Sequence, residues 1–524
     1  MSKILALYTN EMIKLSRKLS VWMLVILMAI SCLFVPAMAS KLFDGNELYN
    51  PHADDTKAQI TKTRDALREV LGDPNQYVQH TTLRFNKGNE VSELFGTYID
   101  LEDGDLINQY SYLTCYNTVL DTYNFDAYPL DNNYLAVSAF ELYSDMNRSL
   151  CFLNTTPFAE RDAEWFSEYN NTMEALSLAG SALFNHDMSS MVALASMDIM
   201  RTPGLLSVST WQRMKEVDPN GTFSFSEGSL VADALEECET YRHYLDIGAE
   251  PNQDGCLPLS KARRQQLEDS ILILEYQISH GTLPDFEAEK CVSCRQFTNG
   301  IARFFLILLT ILIAGSSISQ ELATGSIKSL IIAPVKRWKI FLAKLLSIIT
   351  WALAGSILIT LMTTLSCMLF LGSPALPPYY YVAGGTVKTI PHFLFSLLMF
   401  LADNISLFVY ILTAFMISCL TKNTGISVGV SAGLLLGGNL IYSLFTLFGH
   451  RMWIDFLPFS NMDLSGHIFP HLELIGFADA SEAGLFGFSA NSAIPLSFSV
   501  TYLVVLCLLL LLIAYDGFVR KDIQ

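Results

Sequence analysis

Residues 20–40 read SVWMLVILMAISCLFVPAMAS, an uncharged run long enough to cross a bilayer as a helix. At about 1.5 Å rise per residue, roughly 20 apolar residues span a hydrocarbon core of about 30 Å. Runs of the same kind recur at 300–319 and 341–371, within 391–420 and 425–448, and at 496–515. The sequence therefore predicts six transmembrane helices. Ala37-Met38-Ala39 imitates the cleavage site of a signal peptide, but the apolar run is long for a signal. Ahead of it, Leu5, Tyr8, Met12 and Leu15 fall on one helical face, which reads as an interfacial helix leading into a retained span.

Charge gives the spans an orientation. The formal net charge of −18 conceals two unlike bodies: residues 41–300 hold 18 Lys and Arg against 41 Asp and Glu, and the remainder is basic. Twelve of the fifteen basic residues outside that acidic stretch gather at one set of span ends. They are Lys3, Lys14, Arg17 and Lys18 before the first, Lys328, Lys336, Arg337, Lys339 and Lys344 after the second, and Lys422, Arg520 and Lys521 after the fourth and sixth. Cytoplasmic loops carry the excess of Lys and Arg, so these positions are expected inside the cell. With six spans, both termini are then cytoplasmic. The predicted fold is an α-helical polytopic protein of the bacterial cytoplasmic membrane. Residues 1–40 form the interfacial helix and first span, 41–299 a mainly helical extracytoplasmic domain, and 300–524 a five-helix region. That region has a cytoplasmic loop at 320–344 and an extracytoplasmic segment at 450–494. Membrane lipid is the expected surrounding. Nucleic acid is excluded as a partner, because the large domain would repel phosphate.

Helical patterns occur in the outer domain at 54–71, 131–150, 160–184, 229–247 and 260–280, broken by turn clusters such as Asp218-Pro-Asn-Gly221. The acidic run 100–105 hints at a calcium loop but lacks the spacing of an EF-hand and reads as a turn. Cys115, Cys151, Cys238, Cys256, Cys291 and Cys294 lie outside the spans and are candidates for disulfides, with Cys238–Cys256 the favoured pair. Cys291 and Cys294 form a CxxC that suits a local disulfide, a redox pair or half a metal site. No second CxxC accompanies it, so no metal site is expected. Cys32, Cys367, Cys419 and Cys507 fall in spans.

The stretch with most to say about function is ELATGSIKSLIIAPVKRWKIFLAK (321–344), which connects the second and third spans. Gly325 breaks the helix, Ile327, Leu330 and Ile331 make an apolar face beside Lys328, and Pro334 ends the turn before a basic rung. A short amphipathic helix lying along the membrane is a docking surface for a soluble partner.

Here the sequence resembles the type-2 family of ABC export permeases, through Glu321, Gly325, Ser326, Lys328, Pro334, Arg337 and Lys344. Leu457-Pro458-Phe459 and the C-terminal FVRKDI (518–523) are further similarities. The resemblance covers the N-terminal helix and residues 300–524, and leaves the outer domain unaccounted for. It implies a half-transporter: two six-span subunits, copies or paralogues, each contacting a cytoplasmic ABC ATPase through the loop after the second span. ATP and Mg would be bound by that ATPase, with no cofactor in this chain. Glu321, Gly325, Lys328, Pro334 and Arg337 are then the ATPase-coupling candidates. No Gly-x4-Gly-Lys-Ser/Thr phosphate loop occurs in these 524 residues, so the chain is read as a transport subunit and not an enzyme, with no catalytic residues.

Within the spans, Gly425, Gly429, Gly433 and Gly437 repeat every fourth residue, a small-residue face for close helix packing inside one subunit or at a dimer seam. Asp403 and Asn404 are candidate transport-path residues, because ionisable groups are costly in a membrane; a crossing that begins near Leu401 would instead place them at the outer interface. The 450–494 segment is too polar to span and too apolar for an ordinary loop, which suits short helices dipping into the outer leaflet. His467 and His471 have metal-ligand spacing, but Pro470 disturbs their helix. The reading favours an exporter permease moving a peptide, lipid or amphipathic drug. Its alternative is an ATPase-independent scaffold or secretion-associated protein that binds through the outer domain.

Overall fold

The structure, a computed structural model, describes residues 2–44, 56–87, 90–130, 132–197, 206–252, 255–325, 335–372, 376–421, 423–447, 456–462, 464–472, 474 and 496–519. Helices α1 (Ser2–Ser16), α2 (Leu19–Asp44) and α3 (Thr56–Leu71) come first, then the antiparallel hairpin β1 (Val78–Lys87) and β2 (Glu90–Ile99). Helices α4 (Gly104–Thr122), α5 (Tyr134–Asn154), α6 (Ala163–Asn185), α7 (Met188–Ser196), α8 (Val208–Val217) and α9 (Phe225–Ile247) follow. Strands β3 (Ala249–Asn252) and β4 (Gly255–Pro258) and helix α10 (Lys261–His280) lead to α11 (Phe286–Ser317), α12 (Ser319–Ala323) and α13 (Arg337–Leu371). The remainder is β5 (Tyr379–Ala383), β6 (Thr386–Ile390), α14 (His392–Leu420), α15 (Thr424–Leu447), the short α16 (Pro458–Asn461) and α17 (Leu464–Ile468), and α18 (Leu496–Val519).

Two compact units divide the chain. One comprises Met1–Gly45, Gly248–Ile273 and Phe286–Gln524, the other Asn46–Ile247 and Leu274–Asp285. In the first, five described helices are long and apolar enough to cross a membrane: Leu19–Lys41, Glu287–Ala323, Arg337–Leu371, His392–Leu420 and Leu496–Val519. The expected fifth span, within 425–448, coincides with α15, of which the described apolar stretch is Thr424–Leu434. Among the described residues five helices have the length and composition of a span, and a sixth stays with the proposal below.

Burial ranks these helices. Of the most apolar stretch, 56% is buried in α11 against 17% in α18, so α11 runs through the middle of the bundle and α18 along its outside. Leu306, Ile313 and Ala314 of α11 share one core with Met28 of α2, Ile348 of α13 and Phe415 of α14. Gly355 makes the α11–α13 approach possible: a Cβ there would stand 2.5 Å from Leu306 Cδ1. Leu361, Leu365 and Leu369 on α13 and Leu508 and Leu512 on α18 face outward, a row of apolar side chains that only lipid or another apolar surface accommodates.

The second unit is mainly helical. Helices α3, α5, α6 and α9 answer the periodic patterns read from the sequence. The β1–β2 hairpin and helices α4, α7 and α8 add to that reading. Leu71, Ile107, Tyr110, Leu113 and Cys151 form a buried cluster. Asp103 caps α4, its carboxylate accepting the Asp105 N–H at 2.8 Å, so the acidic run is the start of a helix. Asp218 holds its turn by accepting from Thr222 Oγ1 at 2.9 Å and from the Phe223 N–H at 2.8 Å.

Candidate coupling site

Glu11, Lys14 and Lys18 are spaced at i, i+3 and i+7 and therefore share one side of the N-terminal helix and its exit. Glu11 is buried at the centre of the α1 face that packs, with Leu15, while Leu5 is 66% exposed. Burying a carboxylate requires partners. Lys344 Nζ donates to Glu11 Oε2 at 2.9 Å and pairs with Glu321 Oε1 at 2.9 Å, and Lys14 Nζ bridges Glu11 Oε1 at 2.9 Å and Glu321 Oε1 at 3.1 Å. Lys344 is 1% exposed. Two ammonium groups and two carboxylates thus neutralise one another. Beside them Lys18 Nζ donates to Gln320 Oε1 at 2.9 Å and Ser316 Oγ at 3.3 Å.

Electrostatics follow from this arrangement for the groups of α1. Burial pushes the Glu11 carboxyl upward, but the Lys344 charge and hydrogen bonds from Lys14 and Lys344 outweigh it and leave its pKa below the ordinary value. Burial lowers the Lys14 ammonium, and the hydrogen bond to Glu11 with the charge of Glu321 more than reverses that, so its pKa is raised. Both shifts favour the charged pair.

The cluster sits where the chain enters and leaves the 320–344 segment. Helix α11 ends at Ser317 and α12 begins at Ser319, and the interrupted backbone donors at Ile318 and Ser319 are both taken by Ser418 Oγ of α14, at 3.1 and 3.0 Å. Ser418 is fully buried. Ser427 of α15 donates to the Gly315 carbonyl at 2.7 Å on the same stretch. A Cβ on Gly315 would come within 3.3 Å of the Val428 backbone. Gly325 has φ +71°, the left-handed conformation that ends a helix without strain only for glycine. Further along the segment, Arg337 Nη1 donates to the Val519 carbonyl at 3.1 Å, tying the start of α13 to the end of α18.

Of the coupling candidates, Glu321, Gly325 and Arg337 are placed as above, and the structure brings Glu321 together with Lys344. Lys328 and Pro334 lie outside the described residues, with the whole amphipathic stretch 326–334. Glu11 is hidden in the sequence because a charge on an amphipathic helix is ordinarily assigned to water. The signal that could have found it is its i, i+4 spacing from Leu15.

A second polar group lies between α11 and α14. Asp403 pairs with Arg303, Nη1 to Oδ1 at 2.8 Å, and Arg303 Nη2 also donates to the Asp403 carbonyl and to Ser406 Oγ at 2.9 Å. Asn404 Nδ2 donates to the Phe400 carbonyl at 2.7 Å. One helical turn before Arg303 lies Asn299, and a further turn before that Arg295 Nη2 donates to His392 Nε2 at 3.1 Å. His392 Nδ1 faces the Pro377 carbonyl at 3.0 Å, an arrangement that puts the ring proton on Nδ1.

The glycine face of α15 divides. A Cβ on Gly425 would meet its own neighbour Asn423, whereas at Gly429, Gly433 and Gly437 it would meet nothing among the described residues. His471 is buried and shares a hydrogen bond with Ser270 Oγ, Nδ1 to Oγ 3.0 Å, while the His467 side chain lies outside the described residues. The helices expected between the fifth and sixth spans correspond to α16 and α17. All ten cysteines are free thiols: Cys115, Cys151, Cys238, Cys291 and Cys294 are buried and Cys256 is exposed.

Five helices long and apolar enough to cross a membrane, with a buried ionic knot at one end, define a multi-pass membrane protein. Residues 5–523 match the family described as ABC-2 family transporter protein, and the chain belongs to that family. It is a transporter permease, and its family implies a partner ATPase subunit. Two relatives from Bacillus subtilis (strain 168) are similar to it. Uncharacterized protein YhcI is 22% identical over 271 residues, covering 49% of this chain and 76% of the relative. Uncharacterized membrane protein YdbK is 25% identical over 256 residues, covering 49% of this chain and 90% of the relative. No solved structure matches.

Proposed function

We propose that this chain is the permease half of an ATP-driven exporter, moving a peptide, lipid or amphipathic drug across the cytoplasmic membrane. It works with a second permease subunit and a separate ATPase that binds ATP and Mg. Both termini and the 320–344 segment face that ATPase, and the 41–299 domain faces outward, the orientation that the basic flanks of the spans favour. The observation carrying the proposal is that Glu11, Glu321 and Lys344 tie the N-terminal helix to both the entry and the exit of the 320–344 segment. A push on that segment is then passed to α1, α11 and α13 together, a two-state element biased by nucleotide.

Within this reading Lys328, Pro334 and Arg337 belong to the docking surface. Asp403, with Arg303 and Asn404, lines the transport path, and the open face of Gly429, Gly433 and Gly437 forms the seam with the second permease subunit. Affinity capture of the full chain from its native membrane tests the proposal. Co-purification of an ATP-binding subunit supports it, and capture of the chain with no such subunit overturns it in favour of an ATPase-independent scaffold.

A further inference from the structure

Cys291 and Cys294 lie three residues apart on α11, and Cys367 lies near the end of α13. These three sulfurs form one buried cluster, packed by Ala39, Leu371 and Leu376. Cys367 thus stands beside the CxxC pair from a second helix. Hydropathy separates them, assigning Cys367 to a span and the other two to the outer domain; the fold brings all three together. We propose that this cluster is a disulfide site that joins α11 to α13, with Cys367 the shared sulfur and either Cys291 or Cys294 its partner.

Geometry favours the bond between helices over one within the CxxC. Residues three apart on a continuous helix have Cβ atoms about 5–6 Å apart, whereas a disulfide holds them at about 3.8 Å. Helix α11 is unbroken from Phe286 to Ser317, so closing Cys291 onto Cys294 would distort it. Cys367 approaches from a second helix and needs no such distortion.

The chemistry requires a disulfide donor, a dithiol protein in its oxidised form. The thiolate of Cys291 or Cys294 attacks one donor sulfur, the donor S–S bond breaks, and the first donor thiolate leaves. Cys367 then attacks the sulfur of that mixed disulfide, forming its own S–S bond and releasing the second donor thiolate. Two cysteine protons pass to the two donor thiolates and the donor is reduced by two electrons. Arg295 places a positive charge beside the Cys291 sulfur, where the attacking thiolate would form. In the cell such a donor is met on the outer face, so the physiological step rests on the orientation proposed above.

The consequence is mechanical. Helices α11 and α13 are the two arms that enter and leave the 320–344 segment, and the ionic cluster joins them at that end. A bond from Cys367 would join them at the other, so that the pair moves as one lever.

The test uses the purified full chain in detergent, incubated with glutathione disulfide, alkylated and analysed by non-reducing peptide mass spectrometry. The expected result is a peptide pair joining Cys367 to Cys291 or Cys294 and lighter by two hydrogens. Cys291→Ser and Cys294→Ser should each keep a bond to Cys367, and the double substitution should abolish it. Cys367 recovered wholly as an alkylated thiol, a bond only between Cys291 and Cys294, or glutathione adducts alone would each overturn the proposal. The wild-type measurement decides without any variant, so misfolding of a mutant cannot obscure the answer.

Discussion

Glu11 and Lys344 are 333 positions apart in the chain and meet at 2.9 Å, with the Lys344 side chain almost wholly removed from solvent. An ammonium so placed persists because Glu11 and Glu321 both face it. Removing one partner of a buried pair costs about 3–5 kcal/mol, far more than the net worth of the pair, because the remaining charge is stranded.

Lys344→Ala should therefore destabilise the chain by that order, leaving Glu11 and Glu321 with Lys14 alone. The double substitution Glu11→Gln with Lys344→Met should cost less than the two single changes summed, since neither leaves an opposite charge unpaired. Thermal unfolding of the detergent-solubilised variants measures both.

Acid should loosen the same contact. The Glu11 carboxyl has a pKa below its ordinary 4.5 in the folded chain, so the unfolded chain binds the proton first as the pH falls. Its contribution is complete above pH 4.5 and is lost as the pH drops below that value through the folded pKa. Unfolding temperature followed from neutral to acid pH should decline in that window, and the decline should be shallower in Glu11→Gln.

Ser418 carries two backbone donors where α11 gives way to α12. Ser418→Ala should destabilise by about 1–3 kcal/mol for each N–H left buried and unsatisfied. Ser418→Thr keeps the hydroxyl and should recover part of the loss if the added methyl is accommodated. Unfolding of the two variants side by side separates the hydrogen bonds from the packing.

Asp403 and Arg303 pair across α14 and α11. Asp403→Arg should lower the yield of folded protein by facing two guanidinium groups, and the swap Asp403→Arg with Arg303→Asp should restore much of it. Size-exclusion profiles of the three proteins give the comparison, and a swap no better than the single change would contradict a pairwise role.

The spans were legible because a run of about 20 apolar residues matches the thickness of a bilayer and exceeds what a soluble core helix ordinarily buries on every side. Expected helices at 300–319, 341–371 and 496–515 correspond to α11, α13 and α18, although α11 starts earlier, at Phe286, because its first turns continue with polar residues that hydropathy alone excludes from a span. The β1–β2 hairpin was not legible: Val78–Lys87 mixes His, Thr, Arg and Asn with few apolar residues, so no clear alternation marks a strand. Glu321 was legible through a motif. Lys344 belongs to the same motif, but its pairing with Glu321 through Glu11 and Lys14 was not legible, because those two lie more than 300 residues away in the N-terminal helix. Arg303 was hidden likewise, one cation in an apolar run whose counter-ion lies 100 residues away.

ATP hydrolysis by the complex co-purified with the full chain tests the central claim most directly, comparing the native chain with Glu321→Gln. If the Glu11–Lys344–Glu321 knot transmits closure of the ATPase to the spans, Glu321→Gln should leave the ATP-binding subunit attached but change its hydrolysis rate relative to the native complex. An unchanged rate, with the subunit still bound, would contradict transmission through the knot.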